Sequence, residues 1–196
     1  MTRFISWISA VFVFAVLGAG APVLAQDIPK GKQTRAGLYL TAAEAAAFLE
    51  KQDALFVDVR TRSEVAFLGL PEQVDVHIPY MEMPLLPTYD DEAKGYALEI
   101  NPDFPMVFRA YAEEHGVAPD TPIMLICRSG SRSARAADAL AEMGFTQVYS
   151  IIDGFEGDKA KDGPHKGERA VNGWKNAGLR WTYAVRPDQA YPADRM

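Results

Sequence analysis

Seven consecutive residues combine a nucleophile, two cations and a run of small side chains: Cys127-Arg128-Ser129-Gly130-Ser131-Arg132-Ser133. Directly before them stands the apolar run Ile123 to Ile126, and after them an alanine-rich segment. The cysteine therefore leaves the carboxyl end of a buried strand, and a helix starts a few residues later. Ligands of open α/β sheets bind at that edge. Small residues let the backbone curl so that successive N–H groups converge into a bowl, with a helix N-terminus behind it, and such a bowl holds anions. A thiolate there receives N–H hydrogen bonds and the positive end of the helix dipole, with Arg128 and Arg132 close by. Each contribution favours the ionised sulfur. A thiolate attacks sulfur electrophiles, and the persulfide that results is itself an anion the bowl can stabilise. A lone cysteine is commonly an inert, buried thiol; these surroundings set Cys127 apart from that reading.

The other residues of the loop divide by role. Arg128 and Arg132 either face the bowl and help to hold an anionic donor or are solvated loop residues. Ser129, Ser131 and Ser133 are placed to give hydroxyl hydrogen bonds to a persulfide, and Gly130 is explained by backbone geometry. Cys127 is the only cysteine, so the chain forms no disulfide within itself. Asp58 interrupts a buried strand, which is expensive unless its carboxylate is hydrogen-bonded. It is expected to accept N–H groups or to pair with an arginine near the loop, as structural support. Arg60 and Glu64 are four apart and suit an ordinary helical pair. His77, His115 and His165 lie in different elements, and with one cysteine no metal site is expected. Met81 and Met83 read as packing under a proline-rich loop. No phosphate-binding glycine motif of the nucleotide kind occurs, so no cofactor is implied.

The elements that must position the loop alternate between strand and helix. Thr41 opens a helix with Glu44 completing a capping box, and the segment runs to Lys51. Leu55 to Val59 is an apolar run broken only by Asp58, as a strand buried on both faces of a parallel sheet requires. Arg60 to Phe67 forms a short helical turn closed by Gly69. Val74 to Ile78 is a second strand, ended by Pro79, and Met81 to Pro105 an ordered loop or insertion. A helix follows, with Phe104, Val107, Phe108 and Tyr111 at helical spacing and Gly116 as its stop. After the strand Ile123–Ile126, Ser133 to Met143 is a helix and Gln147 to Ile152 a further strand. The alternation predicts a three-layer α/β fold around a mainly parallel central sheet flanked by helices. Gly157 to Gly173, dense in Lys, Asp and Gly, is read as a solvated surface insertion, with a partner surface as the alternative. Trp174, Leu179 and Trp181 then pack back onto the domain, and residues 185–196 form a polar tail.

The 196 residues favour one domain, and an apolar content of 48% against 23% charged supplies enough material for a core. Net charge is −6 with no long basic run, which argues against nucleic acid or an anionic membrane surface as partner. Residues 1–25 read as a secretory signal: Arg3, an uncharged stretch from Ile5 to Gly20, and Val23-Leu24-Ala25 as a cleavage pattern. An uncleaved anchor is the alternative. Residues 26–36 read as a linker. The mature chain is then expected outside the cytoplasm, periplasmic and not embedded in a membrane.

These motifs resemble the rhodanese family over residues 37–184. Leu55 to Arg60 is similar to its strand ending in Asp-Val-Arg, and Glu64 to the acidic residue soon after. Cys127 to Ser133 is similar to its active-site loop, Gly154-Phe155 to its post-strand turn, and Trp174 through Leu179 to its closing segment. The resemblance implies the rhodanese-like fold and a sulfurtransferase. Cys127 would take sulfur from a small sulfur-containing anion such as thiosulfate and pass it to a thiol, cyanide or a protein acceptor. Two features depart from the family pattern. His77-Ile78-Pro79 comes later than the family's Gly-His-Ile-Pro, and residues 157–173 separate elements usually adjacent. A persulfide carrier or sensor, a non-catalytic binding module and a cysteine phosphatase are the other readings. The last needs an arginine six positions after the cysteine, where this chain has Ser133.

Overall fold

The computed structural model describes residues 28–190. The segment read as an export signal and residues 191–196 of the polar tail lie outside the described residues. Among the described residues no helix is long and apolar enough to cross a membrane. The stretch read as a linker carries a 3-10 turn at Lys30–Lys32. It buries Ile28 and brings Lys32 to 2.7 Å from Asp158.

The chain then runs β1 (Tyr39–Leu40), α1 (Ala42–Leu49), β2 (Leu55–Asp58), α2 (Arg62–Leu68), β3 (Leu70–Pro71) and β4 (Val76–His77). Four two-residue strands follow: β5 (Met81–Glu82), β6 (Tyr89–Asp90), β7 (Gly95–Tyr96) and β8 (Glu99–Ile100). After them come α3 (Phe104–Glu114), β9 (Ile123–Ile126), α4 (Ser131–Glu142), β10 (Val148–Ile151) and β11 (Trp181–Thr182). Five strands form the central sheet in the order β1-β10-β9-β2-β4, and every neighbouring pair in it is parallel.

Alternation along the central strands builds a core on each face of the sheet. Leu55, Val57, Ile123, Leu125 and Val148 point to one side, where they meet Phe104 and Phe108 of α3 and Ala136 and Leu140 of α4. Phe56, Met124, Ile126 and Ile151 point to the other, against Ala42 and Ala45 of α1, Val65 of α2 and the fully buried Trp174. Helices thus cover both faces, which is why β2 and β9 are buried at every position. The fold is the three-layer α/β arrangement expected.

Local chemistry sets the helix starts. Thr41 and Glu44 form the expected capping box at α1, and Thr61 and Glu64 form a second at α2. The helix after Cys127 begins at Ser131 rather than Ser133, because Gly130 takes the cap position with φ 100°, a left-handed conformation, and no side chain caps it. Between β4 and α3 the chain is ordered by β5 pairing β8 and by a β6–β7 hairpin, both antiparallel. Residues 157–173 are mostly exposed and contain the isolated bridges Lys159–Arg169 and Ala160–Lys166. Asp153 fastens the base of that segment to α1 by accepting from Ala42 N at 2.8 Å and Gly173 N at 3.0 Å.

Candidate active site

Register places the carboxyl ends of β2 and β9 side by side, with Asp58 opposite Ile126. Cys127 follows at that edge, 1% exposed and on the α4 face of the sheet. Its Sγ accepts a hydrogen bond from Gly130 N at 3.1 Å, and its thiol points at Ser133 Oγ at 3.5 Å. The Ser133 hydroxyl donates to Gly130 O at 3.0 Å and also stands 3.0 Å from Ser150 Oγ of β10. Cys127, Ser133 and Ser150 therefore form one buried polar chain inside an otherwise apolar layer. Ser133 to Ser131 open α4, so their amides have no carbonyl within the helix to bond.

The loop owes its curl to a second turn packed behind it. Phe155 N donates to Cys127 O at 2.8 Å, and Glu156 N and Gly157 N donate to Arg128 O at 3.0 and 3.2 Å. A trans peptide points its C=O and the next N–H in opposite directions. Pinning the carbonyls of Cys127 and Arg128 thus turns the amides of Arg128 and Ser129 away from that turn. Gly154 makes the approach possible: a Cβ there would lie 2.6 Å from Cys127 O, Arg128 C and Ser129 N. The turn is braced in its own right by Trp174 N on Gly154 O and Lys175 N on Phe155 O.

The two loop arginines are both paired with carboxylates. Arg128 is exposed and gives its Nε to Glu156 at 2.6 Å. Arg132 is buried and gives both terminal nitrogens to Glu64, each at 2.6 Å. Burial alone would raise the Glu64 carboxyl. The hydrogen bonds and charge of Arg132, with the Thr61 amide and the charge of Arg60, instead bring it down from 4.5 to about 2. Glu64 is therefore not the helical partner of Arg60 that their spacing suggested. Arg60 is fully buried and turns to Asp58, with Nε 3.0 Å from both carboxylate oxygens. It also donates to Gly69 O at 2.7 Å and lies 4.0 Å from the Phe155 ring centroid. Asp58 in turn accepts the Arg60 backbone N–H at 3.0 Å. This pair supports the turn behind the loop and makes no hydrogen bond to Cys127. His77 bonds Arg60 O through Nε2 at 2.7 Å, which makes that nitrogen the N–H donor.

Above the loop lies a cavity of about 360 Å³. Ser129, Ser131, Arg128 and Arg132 line it from the loop, and Thr61, Ser63 and Glu64 from α2 and its cap. Met83, Tyr96 and Leu98 supply an apolar wall from the stretch between β4 and α3, and Arg169 reaches in from residues 157–173. The sequence carries no signal for these last four. Ser150 had one: a polar residue interrupting a buried strand, as Asp58 does.

The family model described as the rhodanese-like domain matches residues 41–161, more than half of the chain. The chain belongs to the rhodanese-like domain family. Protein RP600 of Rickettsia prowazekii is 32% identical over 133 residues, covering 67% of this chain and 85% of that protein. Protein RC0915 of Rickettsia conorii is 30% identical over 139 residues, covering 69% and 88%. The crystal structure of Rv0390 from M. tuberculosis is 29% identical, with a TM-score of 0.53, covering 74% of this chain and 96% of that one. In this rhodanese-like domain Arg169 lies beyond residue 161, where the family model ends.

Proposed function

We propose that this rhodanese-like domain is a sulfurtransferase. It moves a sulfane sulfur from an anionic donor such as thiosulfate to a thiophilic acceptor, through a persulfide on Cys127. The observation that carries this reading is the Gly130 amide 3.1 Å from Sγ, at the head of α4, in a loop whose carbonyls are held off by residues 155–157. Dipoles fixed in that orientation stabilise negative charge on sulfur without having to reorganise.

In the first half-reaction the Cys127 thiolate bonds to the outer sulfur of thiosulfate. The S–S bond of the donor breaks, and its electron pair leaves on sulfite. In the second, a nucleophile such as cyanide or a thiolate bonds to the outer persulfide sulfur, and the Cys127 thiolate is restored as leaving group. Ser133 needs only to rotate its hydroxyl from Gly130 O to donate to the ionised sulfur. A phosphatase reading is disfavoured because Arg132, the arginine nearest the required position, is committed to Glu64.

Incubation of the purified protein with thiosulfate and cyanide tests the reading. Thiocyanate formation that is lost in Cys127→Ser supports it. A stable gain of one sulfur on Cys127 with negligible turnover points instead to a persulfide carrier, and hydrolysis of a phosphate ester would overturn both. The apolar N-terminal segment supports action outside the cytoplasm, which an intact mass beginning at Gln26 would bear out.

A further inference from the structure

Three arginines stand around the cavity above the loop, and two of them are neutralised by carboxylates, Arg128 by Glu156 and Arg132 by Glu64. Arg169 is built differently. Its Nη1 donates to Gly157 O, its Nε is buried with no hydrogen-bond partner, and among the described residues no carboxylate is hydrogen-bonded to its guanidinium. An unsatisfied buried donor is uncommon in a folded protein; Arg60 Nη1 is another among the described residues, but of the two arginines Arg169 is the one that lines the cavity.

The arginine is also held in place. Its backbone bridges to Lys159, and Arg169 O accepts from the side-chain amide of Asn176 at 3.1 Å. The same Asn176 amide donates to Glu156 O and Asn172 O, tying the segment to the turn behind the loop. At the stem, Gly157 and Gly173 pack so closely that a Cβ on Gly157 would lie 1.8 Å from Asn172 O. A side chain fixed in this way needs little ordering when a ligand binds. Burial and the charge of Arg128 hold its pKa below the usual guanidinium value, opposed by Glu156, Asp158 and Cys127. An oxyanion lodged between Arg128 and Arg169 would relieve that repulsion.

We propose that Arg169 is the residue that selects the donor: it takes the oxyanion end of a thiosulfate-class compound, and then the sulfite that leaves. The assignment rests on the sulfurtransferase reading above. It makes residues 157–173 part of the substrate site, where the sequence suggested a solvated loop. The atoms balance as in the first half-reaction: Cys127 gains the outer sulfur, and sulfite departs with the electron pair of the broken S–S bond while Arg169 holds its oxygens.

The test compares full-length wild type with Arg169→Gln and Arg169→Lys. Two rates are read by intact mass: sulfur gain by Cys127 from thiosulfate, and alkylation of Cys127 by the neutral reagent iodoacetamide. Losing one charge-assisted hydrogen-bonding group lowers the first rate by roughly 10- to 100-fold in Arg169→Gln, with an intermediate rate in Arg169→Lys. Alkylation stays within about two-fold of wild type, which also reports that the site remains folded. Thiosulfate loading at the wild-type rate in Arg169→Gln, or parallel loss of both rates in both variants, overturns the assignment alone. A wild-type protein that is alkylated but never gains sulfur overturns the sulfurtransferase reading, and this assignment with it.

Discussion

Arg132 and Glu64 meet face to face, Nη1 on Oε2 and Nη2 on Oε1, each at 2.6 Å, joining the first turn of α4 to the cap of α2. The same Oε2 accepts from Thr61 N and Thr61 Oγ1, so one carboxylate both starts a helix and anchors the helix that follows the Cys127 loop. With side chains only 11% and 17% exposed, the pair is shielded from the screening that makes surface ion pairs weak.

Glu64→Gln keeps a residue able to close the capping box but leaves the Arg132 charge without its counter-ion. We expect a loss of about 2–3 kcal/mol, as befits breaking a partly buried pair from one side. Urea unfolding would show it as a lower midpoint with unchanged slope. An unmoved midpoint would mean that the pair contributes nothing net.

Acid should act through the same carboxylate. Its folded pKa of about 2 lies below the ordinary 4.5, so its stabilisation is complete above 4.5 and is lost as pH falls toward 2. The stability gap between wild type and Glu64→Gln is therefore constant near neutrality and closes across that window. His77 adds an earlier loss. Burial lowers its folded pKa below 6.5, so the unfolded chain takes up the proton first and stability declines as pH drops through 6.5. Stability curves in urea at stepped pH would resolve the two.

Ser133→Ala removes the hydroxyl that joins Cys127 to Ser150 and leaves Ser150 Oγ buried without that partner. An orphaned buried hydroxyl costs about 1–3 kcal/mol. Sulfur gain from thiosulfate should slow as well, while Ser150→Ala, which leaves the Ser133–Cys127 contact in place, should slow it far less. Equal rates for the two variants would assign Ser133 a purely structural part.

Gly154→Ala would drive a methyl group into the backbone of residues 127–129 at φ 62°. Left-handed strain accounts for about 1–2 kcal/mol, and the clash can be relieved only by moving the loop. Sulfur gain should fall at least about tenfold on that account. Gly116→Ala is the control: it has φ 66° with nothing within 4 Å, so it carries the same strain and should leave sulfur gain untouched.

What the sequence disclosed followed from local rules. The buried strands β2 and β9 were legible because both faces are covered and their residues are apolar apart from Asp58 at the end of β2. The loop was legible because a cysteine, small residues and a helix start stand in direct succession. Two-residue strands such as β1 and β3 show no periodicity and were not foreseen. The start of α4 was misplaced by two residues because a left-handed Gly130 does the work of a polar cap. Spacing also misdirected the charges. A four-residue interval pointed Arg60 at Glu64, whereas burial drew Arg60 to Asp58 and left Glu64 for an arginine 68 positions away. No interval in the chain could announce that Arg169 or Tyr96 would reach the cavity lined by Arg128, Ser129, Ser131 and Arg132, since each is carried there by its own excursion from the sheet.

The turn at residues 154–157 grips carbonyls rather than side chains. What surrounds the sulfur is accordingly written in the count of residues between β9 and α4, and any exchange of Ser129 or Ser131 leaves that count untouched. Inserting a single residue there would widen the ring of amides and change the size of atom it accommodates. That turn is also joined to residues 157–173 at Gly157, whose N–H donates to Arg128 O and whose carbonyl accepts from Arg169, so a change in the outer segment is felt at the ring of amides.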